Sequence, residues 1–104
     1  MDHHYTFHHE LRKLNKKLLQ LSSMVEERVR TATQVIESKD QDVIHSIIVS
    51  DYEVDEMEVE IEEDCLKILA LHQPVASDLR FLIAVIKINN EMKRIADIER
   101  NNNK

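Results

Sequence analysis

No glycine occurs in these 104 residues, and the one proline is Pro74. Tight hairpins reach positive φ through glycine or asparagine–glycine pairs, and strands favour β-branched alternation between such turns. A chain without these devices has few ways to fold back on itself in short steps. Long helices joined at a small number of breaks are what remains. The length allows one domain, 1–104, with a single modest core.

Apolar spacing then divides the chain into three helices. The first is predicted from Thr6 to Glu37, on a seam of Leu11, Leu14, Leu18, Leu21, Val25, Val29, Ala32 and Ile36. Steps of three and four keep one stripe facing a partner along the whole length. Ser38, Lys39 and Asp40 form the first turn, with Asp40 or Asp42 as the N-cap of the next helix. The second helix is predicted from Gln41 to Leu71 and is stopped by Pro74, which restricts the residue before it and suits the first turn of the third. The third runs from Pro74 to Arg100 and frays at Asn101, Asn102 and Asn103. Helices of this kind are each about 40–48 Å long. Short connections require antiparallel neighbours, so the expected fold is all-α, an antiparallel up-down-up three-helix bundle.

The third helix carries two apolar stripes. Val75, Leu79, Leu82 and Ile86 form one; Phe81, Val85, Ile88, Met92 and Ile95 form another, turned well away from it. A surface helix needs one apolar face, and two imply burial on two sides. The expectation is a homo-oligomer, a dimer in the simplest case, with Phe81, Val85, Ile88 and Met92 at the interface.

The formal net charge of −6 argues against non-specific nucleic-acid binding, which depends on basic surface. An acidic surface suits a metal ion or a basic protein partner. Cys65 is the one cysteine, so no internal disulfide forms, and it reads as a small buried apolar residue. The start lacks the basic flank and apolar core of a signal peptide, and the apolar run Leu79 to Ile88 is interrupted by Arg80 and Lys87. A soluble, cytoplasmic chain without membrane insertion is the expectation, although a domain of a membrane protein would read the same way.

Helix two holds the most unusual polar pattern. Asp51, Asp55, Glu58 and Glu62 fall within roughly a 60° arc at 100° per residue. The same strip is apolar at both ends, through Ile44 and Ile47 on one side and Cys65, Leu66 and Leu69 on the other. Three readings stand: a solvated acidic face, an ion-pair seam with Arg80, Lys87, Lys93 or Arg94 of helix three, or a site for a hard or borderline cation. Asp51 and Asp55, one turn apart, point the same way and suit one ion between them. At the N-terminus His4 and His8, and Tyr5 and His9, are also one turn apart. A histidine pair there would suit a transition metal, but a frayed, solvated end is the commoner fate of such a segment, and no role is assigned to His3, His4, His8 or His9. His72 falls at a helix end, where a cationic ring suits the dipole.

At this point the local sequence becomes specific. The stretch from Ile61 to Arg80, above all Gln-Pro-Val-Ala-Ser-Asp-Leu-Arg from Gln73 to Arg80, resembles the signature of the PhoU family of phosphate-signalling proteins. The run from Ile86 to Asp97 is similar to a second hallmark, and Asp51, Val54, Asp55, Met57, Glu58, Ile61 and Glu62 fit the pattern upstream. The resemblance covers nearly the whole chain. It implies a three-helix bundle that family members carry twice, where this sequence has the length of one. It also implies metal binding, of iron, zinc or manganese, through Asp/Glu-x-x-x-Asp motifs on facing helices. Asp51-x-x-x-Asp55 is intact; in helix three the residue four before Asp97 is Lys93, not an acid. The implied metal ligands are therefore Asp51, Asp55, Glu91 and Asp97, with Lys93 working against them. Ala96 stands where the family's small glycine is usual and is compatible with close packing.

The function this implies is a non-enzymatic regulator or adaptor of phosphate uptake and phosphate-starvation signalling, acting through a phosphate importer's ATPase and a sensor histidine kinase. No nucleophile–base pair, phosphate-cradling glycine loop or Glu-x-x-His motif indicates an enzyme. Two alternatives remain at this level: a cytoplasmic domain of a sodium/phosphate transporter, and a metal-carboxylate helical protein.

Overall fold

Phe7, Leu11, Leu14, Leu18, Leu21, Val25, Arg28 and Ala32 are all buried. Their steps alternate strictly between four and three, which keeps them on one line of a helix. That helix is α1, His3–Ser38. On α2, Gln41–His72, the same alternation buries Val54, Glu58, Ile61, Cys65 and Ile68. On α3, Ala76–Asn102, it buries Leu82, Val85, Asn89 and Ala96, with Met92 partly buried between them. The computed structural model describes residues 3–38 and 41–102, with side chains over 6–34, 41–42 and 44–98.

Contacts between α1 and α2 fix one antiparallel register. Phe7 packs on His72 with ring centroids 5.1 Å apart at one end, Lys17 meets Asp64 further along, and Arg28 meets Asp51 towards the other end. α3 lies against both, and Asn89 Nδ2 donates to the Glu58 carbonyl of α2 at 3.1 Å. The molecule is a rod of 55 × 22 × 16 Å, its length set by α1, whose 36 residues span about 54 Å at a helical rise. No strand occurs among the described residues. The all-α up-down-up bundle expected from the spacing is the fold, and no described helix is long and apolar enough to cross a membrane.

Several local expectations shift. Val29 is 43% exposed, and the seam passes through Arg28 instead. Lys39 and Asp40 lie outside the described residues, as do the side chains of Val35, Ile36, Glu37 and Ser38. Asp42 falls within the first turn of α2. The chain break between α2 and α3 occupies Gln73, Pro74 and Val75, so α3 opens at Ala76 and not at the proline. Gln73 takes a left-handed φ of 45°, and its amide donates to the Leu69 carbonyl at 3.3 Å. This is an αL helix cap, made without the glycine that usually supplies it. Ala76 is left-handed too, at φ 51°.

The two stripes of α3 do not face two separate partners. Its buried sector runs between them, taking Leu82 from the first and Val85 from the second. α3 nests in the groove of two helices, and a nested helix presents the middle of its apolar surface. Val85, expected at an interface, is 1% exposed and belongs to the subunit's own core. Phe81 and Met92 are partly buried against that core, and Ile88 is 41% exposed.

Candidate functional site

The acidic residues of α2 separate by direction. Asp51 turns towards α1 and forms an ion pair with Arg28 Nη2. Arg28 is 2% exposed, so this pair sits inside the helix seam. Glu58, itself buried, follows two turns later on the same line. Asp55 and Glu62 are exposed and line a cleft between α2 and α3 of about 280 Å³, together with Asn89, Lys93 and Asp97. Glu53, Glu56, Glu60 and Glu63 are exposed on the side away from the core, within roughly an 80° arc.

Cations for this helix come chiefly from α1, not from α3 as the spacing suggested. Lys17 Nζ lies 2.9 Å from Glu60 Oε1 and hydrogen-bonds Asp64. Burial pulls the Lys17 ammonium down, but its hydrogen bonds to Asp64 and Glu60 outweigh that and leave it raised. Arg94 pairs with Glu91 of its own helix at 2.9 Å, an exposed pair one turn apart. Of the basic residues expected to meet the ladder, Lys93 alone lines the α2–α3 cleft.

Around Cys65, which is fully buried, burial and the neighbouring Asp64 and Glu62 push the thiol up to about 11. His72 ends α2 with Nε2 3.5 Å from Glu10 Oε2. His8 and His9 are exposed, and the side chains of His3 and His4 lie outside the described residues.

A second surface lies between α1 and α3. Leu11, Asn15 and Leu19 of α1 and Ser77 and Phe81 of α3 line an open, largely apolar groove of about 620 Å³, edged by Arg12 and Lys16. Leu19 is 65% exposed within it. Along α3 the same side continues through Ala84, Ile88 and Ile95, which with Phe81 span about 60° of the helix.

The PhoU domain family matches residues 18–101. The chain belongs to the PhoU family. It is 35% identical over 92 residues to the phosphate-specific transport system accessory proteins PhoU of Edwardsiella tarda and of Escherichia coli (strain K12), covering 88% of this chain and 38% of each relative. A PhoU homolog from Aquifex aeolicus (strain VF5) is 30% identical over 88 residues, covering 85% of this chain and 40% of the relative. The chain thus spans about two fifths of the length of these relatives. No solved structure matches it.

With PhoU membership established, the metal implied by the resemblance can be tested on the donor set. Asp51 is committed to Arg28, Glu91 to Arg94, and only Asp55 and Asp97 of the four expected ligands share a cleft. Among the described residues no three His, Cys, Asp or Glu side chains come together closely enough to hold one ion. Asp55, Glu58, Glu62 and Asp97 line that cleft without converging in this way, and transition metals and hard cations both need converging donors. The residues of this PhoU chain therefore do not fit the group. Arg28 was missed in the sequence because Val29 looked the better core residue; the unbroken four-and-three alternation from Phe7 points to position 28.

Proposed function

We propose that this chain is a non-enzymatic, cytoplasmic regulator of phosphate uptake and phosphate-starvation signalling that acts by binding other proteins. The names of its relatives, accessory proteins of a phosphate-specific transport system, support the process. The observation that carries the mode of action is the segregation of its surface. One side, between α1 and α3, is apolar at Leu19, Phe81, Ile88 and Ile95. The opposite display, on α2, is acidic at Glu53, Glu56, Glu60 and Glu63. An apolar side on a rod this thin favours self-association, and a second copy of the chain is its natural cover. The acidic side favours a partner with basic surface, because complementary charge steers encounter and fixes orientation. The partners we propose for it are those the family resemblance implies, the importer's ATPase and the sensor kinase.

The experiment is binding of the purified phosphate importer ATPase to the immobilised chain at two salt concentrations. Saturable binding is expected, weakened about tenfold by the combined Glu53→Lys, Glu56→Lys and Glu63→Lys substitutions and by raised salt. The three residues are exposed, so helicity should be unchanged. Binding that ignores both salt and charge reversal, or no binding at all, would overturn the reading.

A further inference from the structure

We infer that the outer side of α2 is the docking seam for an amphipathic α-helix of a partner protein, one with apolar residues in heptad spacing and Lys or Arg on both borders. The inference rests on the proposed action through protein binding and names what the acidic side of α2 takes. Tyr52, Val59 and Leu66 are seven residues apart and stay 73%, 54% and 57% exposed. Ile48, also exposed, extends the line by one turn. Single exposed apolar side chains are ordinary on a protein surface, but four within about 40° of one helix make a stripe. None of the four belongs to the core.

Carboxylates stand on both borders of the stripe. Glu56 and Glu63 flank one side, with Glu53 and Glu60 beyond them; Asp55 and Glu62 flank the other, at the α2–α3 cleft. Three lysines adjoin these rows: Lys17 of α1 is paired with Glu60, Lys67 follows Leu66, and Lys93 of α3 lines the cleft. The balance along the stripe stays acidic. Spacing then decides the shape of the partner. Seven helical residues advance about 10.5 Å, so successive stripe residues meet successive heptads of a helix lying alongside. An extended strand repeats one face about every 6.6 Å and falls out of step. From Ile48 to Leu66 the stripe matches about five turns of such a helix. Charge decides its composition. A second copy would set Glu56 and Glu63 against the same acids, and anionic lipid headgroups or nucleic-acid phosphates would be repelled likewise. Lys or Arg on the borders of the incoming helix complements both rows.

The test uses the full chain and a labelled peptide of about three heptads, with leucine at the first and fourth positions and lysine at the fifth and seventh. The lysines keep the peptide from pairing with itself. Binding is read by fluorescence anisotropy against two controls, a scrambled peptide of the same composition and one with glutamate for lysine. Saturable one-to-one binding is expected, on the order of tenfold tighter than for the scrambled peptide. Combining Tyr52→Ala, Val59→Ala and Leu66→Ala should remove that margin with helicity and mass unchanged, since all three side chains are exposed. Equal binding of the scrambled or the glutamate peptide overturns the inference, as does a triple variant that keeps the margin. A triple variant that loses self-association also overturns it, because the stripe would then belong to a second copy. The heptad peptide can fail while the importer ATPase still binds, and the ATPase can fail while the peptide binds, so this inference and the proposed function fall separately.

Discussion

Arg28 occupies a position where leucine would pack at least as well, between Val25 and Ala32 on the seam of α1. Its guanidinium is held there by Asp51. Taking both charges from water costs several kcal/mol each, which their attraction offsets only while the pair is intact. Arg28→Ala should therefore destabilise the chain by about 3–5 kcal/mol in urea unfolding, because it leaves a carboxylate in the seam. Replacing Arg28 and Asp51 together by leucine should be neutral or stabilising. The acids of α2 were legible in the sequence as a ladder. Their directions were not, because a 60° arc on a helix wheel does not say which neighbour each rung meets. Two other residues set pH behaviour. The Cys65 thiol, pushed up to about 11, should react with a thiol reagent at pH 8 on the order of a hundredfold more slowly in the folded chain than in the unfolded one. Above its ordinary value of 9.0 the unfolded state loses that proton first, so stability falls as pH rises towards 11. Lys17, also raised, acts in the same sense: its contribution is complete below its ordinary value of 10.5 and is lost as pH climbs through the folded value. Lys17→Met should flatten the alkaline limb of a stability–pH curve, and an unchanged limb would exclude the Lys17 contribution.

At the scale of the elements, the break between α2 and α3 is where a glycine-free chain meets its constraint. Gln73 and Ala76 both adopt left-handed φ, at 45° and 51°. For a residue with a Cβ this conformation costs roughly 1–2 kcal/mol, and glycine relieves most of it. Gln73→Gly should therefore stabilise the chain by about 1 kcal/mol, a rise of roughly 4–8 °C in thermal midpoint for a domain of this size. A fall in midpoint would mean that the glutamine side chain contributes more than the strain removes. Pro74 announced this break in the sequence, and helix number and direction followed from it. The start of α3 was misplaced because proline at the first helical position is the general preference, while here Val75 intervenes. Its carbonyl receives the amides of Asp78 and Leu79, at 3.2 and 3.4 Å, and so serves the helix start. The two-stripe pattern of α3 was legible as excess apolar surface. Which part of it the subunit covers was not, since that depends on how deep α3 sits between α1 and α2.

For the whole molecule, the question is what covers the apolar surface that remains. Ile88 and Ile95 are each 41% exposed and lie on the side of α3 that continues from Phe81 and the groove at Leu19. Val85 is buried and Ile88 is not, yet both belong to the same sequence stripe, so substitutions at the two separate self-association from folding. Light scattering at micromolar concentration is expected to give a mass about twice the 12.3 kDa of the chain, as an isologous pair requires. Ile88→Asp should return the mass to that of one chain with helicity intact, because an exposed carboxylate costs a single subunit little and a buried interface much. Val85→Asp should instead unfold the chain, by several kcal/mol, whatever its association state. If Ile88→Asp left the mass unchanged, or the parent were already monomeric, the α1–α3 side would not join copies of this chain. Its apolar surface would then belong to a partner's helix, and the acidic side of α2 would be left to hold that partner in register.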